Sequence, residues 1–164
     1  MLESLDYSFD EIVITEIWET TYTTDLLNIP NYTRVSNMRS DGRMGGGVAL
    51  FIKNCIGFKI NEAYNLTTAE AVFVDILGYN NKTTLIGAIY RPPSGMLSKF
   101  NLKFTELLDN ISALNNECVL AGDYTIDLLK QTNTETAAFT ELLQSYLTTP
   151  MITIPTRCSD DKCH

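Results

Sequence analysis

Two rhythms of apolar residues alternate along the chain, a short β-branched one and a longer helical one. Glu11-Ile12-Val13-Ile14-Thr15 predicts a central strand that runs into Glu16-Ile17-Trp18. Thr20 to Asn37 is a polar stretch broken at Asn28-Ile29-Pro30-Asn31, and the loop continues from Arg39 to Met44. Gly45-Gly46-Gly47 opens a strand at Val48 to Lys53, with Ile56 to Ile60 expected to pair with it through the Asn54 region. Ala71 to Leu77 and Thr83 to Tyr90 flank the five residues Gly78 to Lys82, which predicts a hairpin. Its second strand stops at Arg91-Pro92-Pro93, because proline has no N–H to give a ladder. Phe100, Phe104, Leu107, Leu108, Ile111 and Leu114 recur at helical spacing, so Ser98 to Leu114 is predicted as an amphipathic helix with Ser98 as N-cap. Cys118 to Ala121 reads as a buried strand delivering Gly122-Asp123 at its end. A second helix is expected near Thr132, with Thr132 and Glu135 as a capping box and Ala138, Phe139, Leu142, Leu143 and Tyr146 inward. Met151 to Ile154 is a last short strand candidate, closed by Pro155-Thr156-Arg157. Strands outnumber helices, and both a hairpin and strand-helix-strand crossovers are present. The expectation is a mixed-sheet α/β or α+β layered fold in a single domain, residues 1–164, with no repeat or linker.

Composition agrees with a globular chain: 164 residues, 45% hydrophobic, enough for one sizeable core. No run of about 18 apolar residues exists, so no membrane span is expected. The acidic start, Met1 to Asp6, lacks the pattern of a signal peptide. An intracellular location, nuclear or cytoplasmic, follows, and the N-x-[ST] matches at Asn31, Asn65, Asn81 and Asn110 are read as chance. Cys55 and Cys118 lie in apolar runs and read as buried thiols. Cys158, Cys163 and His164 lack a second ligand pair at finger spacing, so reduced thiols are preferred to a zinc half-site. The net charge of −8 excludes a protein that clamps nucleic acid by bulk electrostatics, though not a nuclease that touches few phosphates through a metal. Arg34, Arg39 and Arg43 fall within ten residues: either a basic loop that steers a phosphate backbone or a solvated loop.

Candidate chemistry lies at strand ends. Glu16 and Asp123 each follow an apolar strand, and two acids converging on one rim suit a hard cation such as Mg²⁺, which needs few protein carboxylates and keeps its waters. The plainer reading is two surface carboxylates, Asp123 in an ordinary turn. The three glycines either cradle a phosphate or make a bend. No Lys-Ser/Thr or helix follows them, so they are not a P-loop, and a bend is preferred.

Five blocks stand in one order: Thr15-Glu16-Ile17-Trp18, Arg43-Met44-Gly45-Gly46-Gly47-Val48-Ala49, Tyr90-Arg91-Pro92-Pro93, Gly122-Asp123-Tyr124-Thr125-Ile126-Asp127, and Ile154-Pro155-Thr156-Arg157. Together they resemble the endonuclease/exonuclease/phosphatase superfamily, nearest to the apurinic-type endonuclease domain of LINE-type (non-LTR) retrotransposons. The resemblance runs over about residues 11 to 157. It implies an α/β (α+β) four-layer sandwich, two mixed β-sheets flanked by helices, here incomplete at the N- and C-terminal strands. It implies DNA as substrate, Mg²⁺ (or Mn²⁺) as cofactor, no membrane partner, and a larger polyprotein with a reverse transcriptase. Glu16 would hold the metal, Tyr90 would sit against the scissile phosphate, and Asp123 would orient or deprotonate the attacking water. Thr156, Arg157 and Arg43 would face DNA. The chain departs from the pattern in three places. Thr125 stands where the family has asparagine, the upstream metal-binding strand is not represented, and the final Asp-His strand does not follow. Impaired nicking is therefore expected, with a non-catalytic remnant or a phosphatase of the same superfamily as alternatives.

Overall fold

The structure, a computed structural model, describes residues 7–19, 27–39, 45–78, 82–114, 117–130, 132–154 and 156, and the backbone of 158–159 and 162–163. Strand β1 (Glu11–Thr15), β2 (Tyr32–Asn37) and β3 (Val48–Lys53) form one sheet in the order β1-β3-β2, antiparallel throughout. Strands β4 (Phe58–Ile60), β5 (Glu70–Leu77), β6 (Thr83–Tyr90) and β7 (Glu117–Asp123) form a second, mixed sheet in that order. Its β4-β5-β6 part is antiparallel, whereas β6 and β7, joined by helix α1 (Leu97–Leu114), are parallel, as a crossover helix requires. Helix α2 (Thr134–Ser145) follows, then the two-residue strands β8 (Cys158–Ser159) and β9 (Lys162–Cys163).

Two cores hold these layers. Between the sheets lie Val48, Leu50 and Ile52 of β3, Val72 and Val74 of β5, and Ile86, Ala88 and Tyr90 of β6. The opposite face of the second sheet meets the helices through Phe73, Leu85 and Ile89, against Phe100, Phe104, Leu107, Leu108 and Ile111 of α1 and Phe139 and Leu143 of α2. Full burial of each such side chain contributes about 1.5–3 kcal/mol. Phe100, Phe104, Tyr124 and Phe139 make one aromatic cluster, with ring centroids 5.3–6.2 Å apart. Because Tyr124 is in it, the residue after Asp123 is anchored in the helix core.

The layered α+β architecture and the 70–77/83–90 hairpin match the sequence reading. Several details differ. Glu11–Thr15 is an edge strand; β3 is central, with Val48 to Ile52 all 0% exposed. Both edges of β3 are taken by β1 and β2, so Phe58–Ile60 crosses to the other sheet and pairs with β5. The polar stretch before Met38 contains β2, whose Arg34 is neutralised by Glu19 at 2.8 Å and so tolerates a half-buried strand position. Helix α1 begins one residue before Ser98, which therefore lies inside the first turn. The cap of α2 is Asn133, whose side chain accepts from the Glu135 N–H at 2.9 Å. Thr136, not Ala138, takes the inner face there, its hydroxyl donating to the Asp127 carbonyl. Met151 to Ile154 forms no strand, and Met151, Ile152 and Ile154 are exposed. Cys55 is exposed, at the turn where β3 ends. Burial pushes the Cys118 thiol up to about 11. Among the described residues no helix is long and apolar enough to cross a membrane.

The end of β7 is fixed by three devices. Gly122 has φ +143°, and a Cβ there would collide with the backbone carbonyl of Ile89 on β6. The Arg91 N–H donates to the Asp123 carbonyl at 2.9 Å. The Arg91 guanidinium, 6% exposed over the Phe100 ring, donates to the carbonyls of Tyr124, Gly95 and Thr125 at 2.6–3.0 Å. Gly122→Ala is expected to cost about 3 kcal/mol or more, from the clash and the unfavourable φ together. A urea midpoint equal to that of the parent chain would rule this account out.

Candidate functional site

Glu16, Tyr90 and Asp123 come from the C-terminal ends of β1, β6 and β7, so two sheets deliver them to one rim. Tyr90 is the link. Its Cα is in register with that of Asp123 in the parallel β6–β7 ladder, and its hydroxyl donates to Glu16 Oε1 across the gap between the sheets. Asn37 Nδ2, at the end of β2, donates to the Ala71 carbonyl at 3.0 Å, a second tie between the sheets.

Glu16 has φ +55° and Trp18 φ +50°, a left-handed conformation that non-glycine residues rarely take. The glycine run holds them there. Gly46 N–H donates to Glu16 Oε2 at 2.8 Å, and its carbonyl accepts from the Trp18 N–H at 3.0 Å. Gly47 N–H donates to Glu70 Oε2 at 3.2 Å. These amides are thus spent on carboxylates, which settles the glycines as a bend that organises the rim. Gly46, at φ +77°, also lies against the Arg39 guanidinium, with no room for a Cβ.

Arg39 Nε pairs with Glu70 Oε1 at 2.8 Å, both side chains nearly buried, and its guanidinium stands 6.0 Å from the Tyr90 ring centroid. The charges are consequently set locally. The Tyr90 hydroxyl above all, with the Gly46 N–H, the Trp18 indole N–H and Arg39, holds Glu16 below the usual carboxylate range despite some burial. Burial first, then Glu16, pushes Tyr90 up to about 12, so it is a proton-bearing donor at neutral pH. The hydrogen bond to Glu70 raises Arg39.

Asp123 Oδ1 accepts from the Thr125 N–H at 2.7 Å. Thr125 has φ +48°, and its hydroxyl donates to the Arg91 carbonyl at 3.1 Å. That hydroxyl is therefore turned to the backbone. Arg34 and Arg39 are both ion-paired, to Glu19 and Glu70, so they are neither a solvated loop nor free to steer phosphates. Arg43 and Arg157 lie outside the described residues, as does His164. Thr156 is exposed, and no hydrogen bond among the described residues ties it to the rim. Glu70 and the roles of Arg39 and Arg91 escaped the sequence reading. Glu70 shows only as an acid before an apolar strand, with its partner 31 residues away.

A hard cation fits this rim as a one-carboxylate ligand set. Glu16 is exposed and ionised, and each oxygen holds one donor and keeps a lone pair. Among the described residues no three acidic, His or Cys side chains gather into a full cage.

No family model matches the sequence, and no curated protein is similar to it. Solved structures are. The catalytic domain of Xenopus laevis APE2 superposes with a TM-score of 0.60 at 17% identity over 85% of this chain and 60% of that one. The endonuclease domain of TRAS1, a telomere-specific non-LTR retrotransposon, superposes with a TM-score of 0.62 at 10% identity over 93% of this chain and 67% of that one. The chain thus spans 60–67% of these two domains, and at such identities the likeness speaks to architecture alone. The chain thus shares the layered two-sheet architecture of these two domains.

Proposed function

We propose that this chain is a Mg²⁺-dependent (or Mn²⁺-dependent) phosphodiesterase domain that nicks DNA, of the kind non-LTR retrotransposons use to prime reverse transcription, and that Thr125 slows it. The carrying observation is the Glu16–Tyr90 hydrogen bond between sheets with Asp123 in register beside Tyr90. The two structural neighbours, a catalytic domain and an endonuclease domain, support the reaction class. A polyprotein context rests on the second neighbour, a domain of a non-LTR retrotransposon, and on the five sequence blocks.

In this reading Glu16 holds the cation, which when bound polarises a phosphoryl oxygen and stabilises the leaving sugar oxygen. Tyr90, its ring buried between the sheets, keeps its proton and orients Glu16. Water adds to phosphorus as the bond to the sugar oxygen breaks, and the proton of that water passes to Asp123 Oδ2, since Oδ1 is engaged by the Thr125 amide. Arg91 touches no reacting atom; it positions the Asp123 turn. A non-catalytic binding remnant is the second reading. The Thr125 hydroxyl favours it, because it is spent on the Arg91 carbonyl and offers the phosphate no donor.

Incubated with supercoiled plasmid and Mg²⁺, the chain is expected to convert it to the open circle, and Asp123→Ala to abolish conversion. No nicking by the parent chain would overturn the enzyme reading, and equal nicking by the variant would remove Asp123 from its role. Tyr90→Phe is expected to cost about 10²–10³ in rate. It also removes the chief cause of the low Glu16 value. The acid limb of the pH–rate profile, where Glu16 gains its proton, should therefore move to higher pH, and an unmoved limb would count against the assignment. Thr125→Asn relieves a β-branched residue of a left-handed φ and adds an amide donor. Nicking is expected to rise about tenfold or more, and an unchanged rate would clear Thr125 of blame.

A further inference from the structure

Trp18 is the one tryptophan of the chain, and it is 61% exposed on the rim, two residues from Glu16. A large ring left this open is usually mobile. Here the opposite holds. Its main-chain N–H is tied to the Gly46 carbonyl, and its six-membered ring edge lies against Gly45, where an added Cβ would sit 3.5 Å away. One edge is pinned and a face is presented to solvent. The left-handed backbone at both Glu16 and Trp18 costs about 1–2 kcal/mol per residue, which would be pointless for an ordinary surface side chain.

The charge of the chain says what the face is for. At −8 net, with Arg34 and Arg39 already paired, the described surface offers a polyanion little bulk attraction. Bulk charge therefore supplies little of the contact with nucleic acid beyond the cation at Glu16, and an indole held in this way stacks on any base through its π-face. A base in an intact duplex offers no such face at its side, so the partner is an unpaired one.

We propose that Trp18 is a stacking platform for one unpaired nucleobase adjacent to the phosphate held at Glu16, a positioning residue that selects DNA with a distorted or single-stranded nucleotide. This rests on the nuclease reading for the identity of the phosphate, but its test does not require cleavage. With a single tryptophan, intrinsic fluorescence reports Trp18 alone. A mixed-sequence single-stranded deoxyoligonucleotide with phosphorothioate linkages that resist cutting, titrated in Mg²⁺, is expected to quench it. The same strand in a full duplex should quench at least tenfold less readily. In anisotropy titrations with a labelled strand, Trp18→Ala is expected to weaken single-strand binding about tenfold or more, and Trp18→Phe, which keeps a face but loses the N–H, to stay within about threefold. Salt dependence should be shallow, because stacking releases no counterions. Quenching without any plasmid nicking supports the platform and sinks the nuclease reading. Nicking with no quenching overturns the platform alone. Equal loss of binding in the Ala and Phe variants also overturns it, since an aromatic face would then not be what matters. Neither quenching nor nicking overturns both.

Discussion

A guanidinium taken out of water must have its N–H groups met by oxygen, and Arg91 meets them with carbonyls that have little other reason to converge. Gly95 lies at the turn before α1, Tyr124 and Thr125 just beyond β7. One cation therefore binds the exit of β6, the approach to α1 and the exit of β7 into a single knot. Burial pulls this guanidinium down from its ordinary value, with Glu135 and Asp123 opposing. The Tyr124 ring pushes the same knot into the aromatic cluster from the other side. The main chain at Asp123 is held by what surrounds it, and its carboxylate adds one bond of its own, from the Thr125 N–H.

The rim is correspondingly composite. The first sheet contributes Glu16, the second Tyr90 and Asp123, and the loop after β2 contributes Arg39, which turns back to Glu70 at the start of β5. Hydrogen bonds between the sheets at Tyr90 and Asn37 mean that sliding one sheet over the other would break the site before it exposed much core. Alternation of acid, phenol and guanidinium keeps each group in its useful state: Glu16 charged, Tyr90 protonated, Arg39 charged.

Where the chain could be read without a structure, it was because apolar periodicity or backbone chemistry spoke locally. The hairpin, the parallel strand ending at Gly122-Asp123, the two helices and the acid after β1 all announce themselves within a dozen residues. What escaped is what depends on distant partners. Strand β2 looks like loop because its Arg34 is polar until Glu19 neutralises it. Glu11–Thr15 looks central because β-branched residues say strand but not position in a sheet. Nothing near Arg91 in sequence says that its charge is spent on carbonyls more than thirty residues away. Thr125 was legible as an odd residue at its position, though not that its hydroxyl turns to the main chain.

Among the described strands β7 is paired on one side only. Side chains alternate faces along a strand, so the parity of the β6–β7 ladder alone decides whether Asp123 or its neighbour looks into the rim. The interior of the strand is a poor guardian of that parity. Cys118, Val119, Leu120 and Ala121 are all apolar, and a frame shifted by one would bury almost as well. Parity is enforced instead at the last rungs, by a glycine that alone fits against Ile89 and by the main-chain bond from Arg91 to Asp123. Drift in the body of β7 is therefore cheap for the site, whereas any change of length between Cys118 and Gly122 strikes at it directly.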